Sequence, residues 1–189
     1  MPEPHPFGQL PELETERLRL RKLTLDDAQD MFQYASDPQV TQFTTWDTHK
    51  SVEDSIDFIT LVLQEYDNAD SGWTWAIELK ENGKLIGTIG ITWSHPEHRR
   101  AEIGYAIGRP HWGKGLTTEA AREVIRYGFE RMGLNRIEAR CVPENVASAR
   151  VMEKAGMTYE GILREQMFVK GKYDDLKMYS MLKREFDGR

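Results

Sequence analysis

Hydrophobic and polar positions follow two spacings along this chain. Alternation of apolar and charged residues, as in Arg17-Leu-Arg-Leu-Arg-Lys-Leu23, predicts half-buried strands, and spacings of three and four predict amphipathic helices. The predicted strands cover residues 17–23, 73–79, 84–93, 101–107, 136–142 and two long final segments that turn at residues 170–172. The predicted helices cover a segment that starts after Thr24 and ends at Pro38, then 51–66, 116–132 and 146–155.

The order of these elements is strand, two helices, three strands, helix, strand, helix and two strands. Glu81-Asn-Gly83 is a hairpin signal between the second and third strands, and a polar loop is expected over 94–100. The helix over 116–132 is a crossover between the fourth and fifth strands. We therefore predict a mixed α/β layer in a single domain over residues 13–189, preceded by a flexible, proline-rich arm over residues 1–12.

Charge and cysteine content narrow the class of protein. The chain has 25 Lys and Arg residues against 31 Asp and Glu residues, a net charge of −6, and no basic block, which argues against a nucleic-acid partner. Its apolar runs are too short to cross a bilayer, so no membrane partner is expected. The single cysteine, Cys141, fits a cytoplasmic location and is expected to be a small buried residue.

The segment with the clearest chemistry is the glycine turn Gly113-Lys-Gly115, which lies between a predicted strand and the start of a predicted helix. Backbone N–H groups of such a turn, at the positive end of a helix dipole, are suited to hold phosphate. A magnesium-nucleotide loop would need Ser or Thr where Leu116 stands, and a dinucleotide site would need a third glycine. The diphosphate of coenzyme A remains as the ligand of this turn, and it requires no metal.

Several segments together resemble the acyl-CoA-dependent N-acyltransferases of the GNAT superfamily, in the RimJ/RimL-like branch. They occur in the family's order and are Leu13-Glu-Thr-Glu-Arg-Leu-Arg-Leu20, Ala101-Glu-Ile-Gly-Tyr105, Trp112-Gly-Lys-Gly-Leu-Thr-Thr-Glu-Ala120, Asn145 with Ser148, Lys154-Ala-Gly156, and Glu160-Gly161. The resemblance implies a GNAT-type α/β (α+β) fold, a mixed and mostly antiparallel central sheet of about seven strands flanked by about four helices. Pro110 departs from the family, which often has Gln or Arg there.

The resemblance also implies acetyl-CoA as cosubstrate, no metal, and direct attack of a primary amine on the thioester. The strand over 101–107 would separate from the next strand and polarise the thioester carbonyl, with Gly104 suited to a bulge. Thr117 or Thr118 could instead serve only as a helix cap, and Lys114 only as a solvated side chain. The residues expected to bind the cofactor are Tyr105, Ala106, Ile107, Gly113, Lys114, Gly115, Leu116, Thr117, Thr118, Asn145 and Ser148.

Two residues are expected to carry the proton transfers. Ser148 occupies the position where RimL-like enzymes place a hydroxyl beside the cofactor sulfur, so it would protonate the leaving thiolate; Asn145 could instead be only a helix cap. The family's glutamate, seven residues after the Glu-Gly pair, is replaced by Met167, which cannot accept a proton. Glu102 is the substitute base, although it could be a structural carboxylate, and Glu165 is a lesser candidate.

The absence of this glutamate affects which amine can act as the acceptor. An α-amine with a pKa near 7.8 is about ten per cent neutral at pH 7, whereas a lysine amine is almost entirely charged. A low-pKa amine is therefore favoured, while ribosomal-protein N-termini, other peptides, polyamines and antibiotics stay open. The alternatives are a CoA-binding module without catalysis and transfer of another acyl group such as succinyl. A homodimer is common among similar proteins.

Overall fold

The computed structural model describes residues 10–66 and 72–188, which form one eight-stranded sheet flanked by helices. Its strands are β1 (Leu13–Glu14), β2 (Leu18–Arg21), β3 (Trp73–Leu79), β4 (Lys84–His95), β5 (Arg100–Ile107), β6 (Arg136–Cys141), β7 (Thr158–Val169) and β8 (Lys172–Leu182). Its α-helices are α1 (Ala28–Ala35), α2 (Pro38–Thr41), α3 (Val52–Glu65), α4 (Leu116–Glu130), α5 (Val146–Ala155) and α6 (Lys183–Asp187). None of these helices has the length and apolar character required to span a bilayer.

The strand order is β1-β2-β3-β4-β5-β6-β8-β7. Every neighbouring pair in this sheet is antiparallel except β5 and β6, which are parallel and are connected through α4. Parallel neighbours require a crossover connection, and the helical spacing over 116–132 had predicted one here. The parallel pair divides the sheet into an N-terminal half that ends at β5 and a C-terminal half that starts at β6.

Each face of the central strands is covered by different helices. Ile89 and Ile91 of β4 are fully buried on the face of α4, where Gly128 allows the helix to approach Ile91 closely. Thr88 points to the opposite face, where Tyr34 of α1 is buried beside it. Burial on both faces makes the strands around β4 a rigid support for β5.

The predicted mixed, mostly antiparallel fold is confirmed, with short elements beyond the seven strands and four helices expected. β1 pairs with β2 over two residues, and α2 begins at Pro38, where the sequence had predicted the end of a helix. Asp37 caps α2 by accepting a hydrogen bond from the Gln39 amide at 3.0 Å. Proline fits the first helical position because the N–H that it lacks has no partner there.

The β4–β5 connection differs from the prediction. The expected loop over 94–100 is largely structured, since β4 extends to His95 and β5 begins at Arg100. The bulge expected at Gly104 is wrong, because Gly104 pairs in register with Gly90. The register shift lies between Trp93 and His95, beside the turn, where the extra residue disturbs fewer paired positions.

The predicted N-terminal arm lies partly outside the described residues, which begin at Leu10. Leu10 is buried, and the Pro11 carbonyl accepts a hydrogen bond from Trp75 Nε1 at 2.8 Å. Leu10 and Pro11 are therefore packed against the sheet.

Gly87 of β4 provides a test of the β4–β5 packing. A Cβ at this position would lie 2.3 Å from the Ala106 carbonyl oxygen, a backbone atom that has little freedom to move. We expect Gly87→Ala to lower the free energy of unfolding by about 1–3 kcal/mol in urea titrations. Gly104→Ala is the matched control, because a Cβ there meets no atom within 4 Å, and we expect it to unfold like the wild type or at slightly higher urea. Equal loss in both variants would contradict this description.

Candidate active site

A gap between β5 and β6 is the first feature of the candidate site. The two strands pair over only three positions, the last of which joins Glu102 to Glu138. Further along, β5 stays paired with β4 as far as Ile107, whereas β6 follows β8 as far as Cys141. The β6-facing edge of β5 is therefore open over residues 103–107, and its backbone groups can bind an extended ligand.

The glycine turn follows this open strand and leads into α4. Gly113 and Gly115 adopt φ angles of 72° and 77°, a left-handed conformation that glycine adopts without strain. None of the six backbone N–H groups of residues 113–118 donates a hydrogen bond to an atom in the described part of the chain. A Cβ added at Gly113 would meet no atom within 4 Å, so the space beside the turn is open.

These features fit a diphosphate. The six N–H groups lie at the positive end of a 15-residue helix, where partial charges stabilise a bound anion. Trp112 Nε1 donates to the Ile107 carbonyl at 2.8 Å, and Arg109 Nε donates to the carboxylate of Asp37 at 2.7 Å. The turn is thus held at the end of β5, next to the gap.

The first residues of α4 do not cap it with their side chains. Gly115 is the residue that precedes the helix, and Thr117 and Thr118 follow at its second and third positions, both buried. The alternative that either threonine is only a cap is therefore wrong, because a cap must come before the first helical residue. The Leu116 side chain is buried in the core, so its backbone amide is the group available at the turn.

Tyr105, Asn145 and Ser148 come together on the α5 side of the gap. Asn145 caps α5, since its Oδ1 accepts a hydrogen bond from the Ser148 amide at 3.1 Å. The Tyr105 hydroxyl donates to the Ser148 carbonyl at 3.1 Å and also lies 3.1 Å from Ser148 Oγ. A hydroxyl has one proton, so while Tyr105 donates to the carbonyl, Ser148 Oγ donates to Tyr105. The serine thus holds a proton that can be turned toward another acceptor in the gap.

The other groups around Ser148 stay protonated at neutral pH. Burial raises the pKa of the Tyr105 hydroxyl well above its ordinary value. Burial also raises the pKa of the Cys141 thiol, and the nearby Lys177 and Ser148 offset only part of this effect. Cys141 is buried as predicted and has no feature of an activated nucleophile.

Glu102 lies on the opposite face of β5 from Tyr105, the face that it shares with Gly104 and Ala106. Its Oε1 is 2.8 Å from Arg140 Nε. Burial raises the pKa of the Glu102 carboxyl, and the arginine opposes this shift without cancelling it. A carboxylate with a raised pKa is a better proton acceptor than an ordinary one, although its ion pair also fits a structural role.

Strand β7 is irregular just before Met167, the position where the family has its glutamate. Three residues of β7, from Arg164 to Gln166, lie between the paired positions Leu163 and Met167, where β8 has one residue. Glu165 adopts a left-handed φ of 47° in this bulge, and its amide donates to Asp175 Oδ1 at 2.8 Å. Counting residues along β7 therefore does not give the direction of a side chain here.

Several basic residues near the turn were not assigned by the sequence. An open groove of about 570 Å³ lies beside Gly115 and Thr118 and is lined by Arg17, Arg122 and Lys154 among others. Arg122 Nη2 donates to the Lys154 carbonyl at 2.6 Å, which joins α4 to the end of α5. Helical spacing had placed Arg122 only on the polar side of α4. Arg17 and Lys154 both lie in segments that carry the family resemblance, and this was the signal available for them.

Comparison with known proteins finds related acetyltransferases. The family model described as "Acetyltransferase (GNAT) domain" matches residues 17–158. A relative from Bacillus licheniformis, "Uncharacterized N-acetyltransferase p20", is 41% identical over 176 residues, which cover 93% of this chain and 98% of that protein. The "Ribosomal-protein-serine acetyltransferase" of Escherichia coli is 28% identical over 111 residues, 59% of this chain and 62% of that protein.

A solved structure extends the likeness to three dimensions. The crystal structure of an acetyltransferase (GNAT family) from Bacillus anthracis superimposes with a TM-score of 0.82 at 32% sequence identity. The alignment covers 92% of this chain and 99% of that one.

Proposed function

The chain belongs to the GNAT family and is an N-acetyltransferase, and on that premise we propose that it moves the acetyl group of acetyl-CoA to a primary amine by direct attack. The observation that carries this proposal is the set of six amides over 113–118 that have no hydrogen-bond partner among residues 10–66 and 72–188, at the end of a strand with an open edge. A diphosphate held at the turn places the thioester arm along the gap, because both features lie at the same end of β5.

The binding roles follow from these positions. The turn, Gly113 to Gly115, and the first residues of α4 hold the diphosphate. The open edge of β5 from Tyr105 to Ile107 holds the arm of the substrate, and a backbone N–H there polarises the thioester carbonyl. The acceptor amine must approach the thioester from a side of the sheet on which it does not block this edge of β5.

Ser148 supplies the proton for the leaving group. The amine nitrogen forms the new C–N bond, the C–S bond breaks, and the sulfur takes the proton that Ser148 Oγ had donated to Tyr105. As that proton leaves, the Tyr105 hydroxyl can turn from the Ser148 carbonyl to Oγ, since it lies 3.1 Å from each. Ser148 regains a proton through water from the one that the amine releases. Asn145 fixes the start of α5 and so the position of the serine.

Glu102 accepts the proton released by the amine, through a water. Its raised pKa supports this role, and the need for a strong base is modest if the acceptor is an α-amine. A protein N-terminus is the acceptor that we favour, and the printed name of the Escherichia coli relative is consistent with a ribosomal protein. A cytoplasmic location and a homodimer stay predictions from the sequence.

Two measurements test the proposal. Isothermal titration calorimetry with CoA and acetyl-CoA reports binding, and thiol release from acetyl-CoA is followed with peptides, polyamines and free amino acids as acceptors. We expect binding together with turnover on peptides that carry a free N-terminus, and none on the same peptides after N-terminal blocking. Binding without turnover on any amine would favour the CoA-binding module, for which Met167 is the argument. Turnover with succinyl-CoA alone would identify a different acyl group.

Ser148→Ala separates proton donation from binding. We expect kcat to fall by about 10²-fold or more, because general acid catalysis typically contributes that much, while the Kd for CoA changes by less than about threefold. The measurements are steady-state kinetics and calorimetry on the same preparation. An equal loss in kcat and in CoA affinity would assign Ser148 to packing instead.

Glu102→Gln tests the base through the pH profile. Burial raises the pKa of this carboxyl above 4.5, so the wild-type log(kcat/KM) should gain one unit of slope as the pH falls below that raised pKa. The variant should lack this extra slope and lose about 10²-fold at pH 7. Glu165→Gln is the matched control and should keep the wild-type profile. An unchanged profile in Glu102→Gln would make the carboxylate structural.

A further inference from the structure

Glu119, in the first turn of α4, is bound to the turn between β1 and β2. Its Oε1 accepts from Thr15 Oγ1 at 2.6 Å and from the Arg17 amide at 2.8 Å. Its Oε2 accepts from Arg17 Nε at 2.7 Å and lies 2.6 Å from Arg17 Nη2. These segments are 102 or more residues apart in sequence, so only the fold brings them together.

The same arginine reaches the glycine turn itself. Arg17 Nη1 donates to the Lys114 carbonyl at 3.0 Å. In a trans peptide the C=O and the following N–H point in opposite directions, so a Lys114 carbonyl held toward Arg17 directs the Gly115 N–H away from it. That N–H is one of the six without a partner among the described residues.

Arg17 also affects the charge at the start of α4. Burial opposes ionisation of Glu119, but the hydrogen bonds from Thr15 and Arg17 outweigh it and lower the pKa of the carboxyl. Glu119 is therefore negative at neutral pH, close to amides suited to an anion. Without a paired cation, this charge would repel a bound phosphate group.

We propose that Arg17 is a positioning residue for the diphosphate site, which presets the glycine turn through the Lys114 carbonyl and neutralises Glu119. Its three nitrogens Nε, Nη1 and Nη2 each have a protein partner, so it acts through the protein rather than as the main ligand of the phosphate. The inference rests on the proposed function, because it concerns the same cradle for CoA.

Arg17→Met is tested with two probes that divide the substrate. S-acetylpantetheine carries the thioester arm without a diphosphate, and ADP carries a diphosphate without the arm. We expect kcat/KM for acetyl-CoA to fall about tenfold or more, mainly through KM, and the inhibition constant of ADP to rise by a similar factor. The kcat/KM for S-acetylpantetheine should stay within about threefold of the wild-type value. A merely structural role would lower both thioester activities together.

Three further variants serve as controls. Arg17→Lys keeps the charge but lacks the planar guanidinium that binds Glu119 and the Lys114 carbonyl together. We therefore expect its KM for acetyl-CoA to lie between those of the wild type and Arg17→Met. If Arg17→Met does not fold, Arg17→Lys replaces it in the test. Arg19→Met removes an arginine two residues further on, in β2, whose ion pairs are with Glu12, Glu14 and Glu78, and it should leave the preference for acetyl-CoA over S-acetylpantetheine unchanged. Gly113→Val inserts a side chain into the cradle and should reduce that preference strongly.

The outcomes distinguish the two proposals. If Gly113→Val reduces the preference for acetyl-CoA and neither Arg17 variant does, the role of Arg17 is wrong and the cradle stands. If the wild type shows no such preference, or Gly113→Val leaves it unchanged, the diphosphate lies elsewhere and the proposed function fails with it.

Discussion

The brief parallel pairing of β5 with β6 is the contact on which the rest of the candidate site depends. A parallel neighbour requires a crossover, and α4 provides it, so the N-terminus of α4 must lie at the end of β5. Because the pairing stops at Glu102, the same strand has a free edge beside that helix terminus. One topological feature thus places a helix N-terminus, which is suited to an anion, next to a free strand edge.

The rest of the structure holds in place the amides of the turn that lack a partner in the described part of the chain. Amides without partners would ordinarily be satisfied by a rearrangement of a flexible loop. Here Trp112 binds the end of β5, Arg109 binds the cap of α2, and Arg17 binds the Lys114 carbonyl. Contacts from three separate elements therefore preserve a conformation whose N–H groups face open space, which is the preorganisation that ligand binding requires.

Local sequence patterns predicted an element correctly where its structure depends only on residues within that element. Helical spacing predicted α3 and α4, and alternation predicted β2. A helix cap was one of two roles that the sequence left open for Asn145, and its hydrogen bond from the Ser148 amide shows that it caps α5. Predictions were wrong where the local structure depends on an adjacent helix or strand. Pro38 starts α2 instead of only ending a helix, and Gly104 stays in register because Gly90 opposes it, while the extra residue is taken up next to the turn.

The sequence by itself determined the order of most elements and the glycine turn, since each is encoded in a short run of neighbouring residues. It also determined the class of chemistry, through several such segments taken together. Only the tertiary structure decided which side chains meet. The hydroxyls of Tyr105 and Ser148 are 43 residues apart, and Arg17 and Glu119 are 102 apart, so no local pattern predicts either contact. Such pairs form because sheet register and helix packing, rather than neighbours in the chain, set the distances between them.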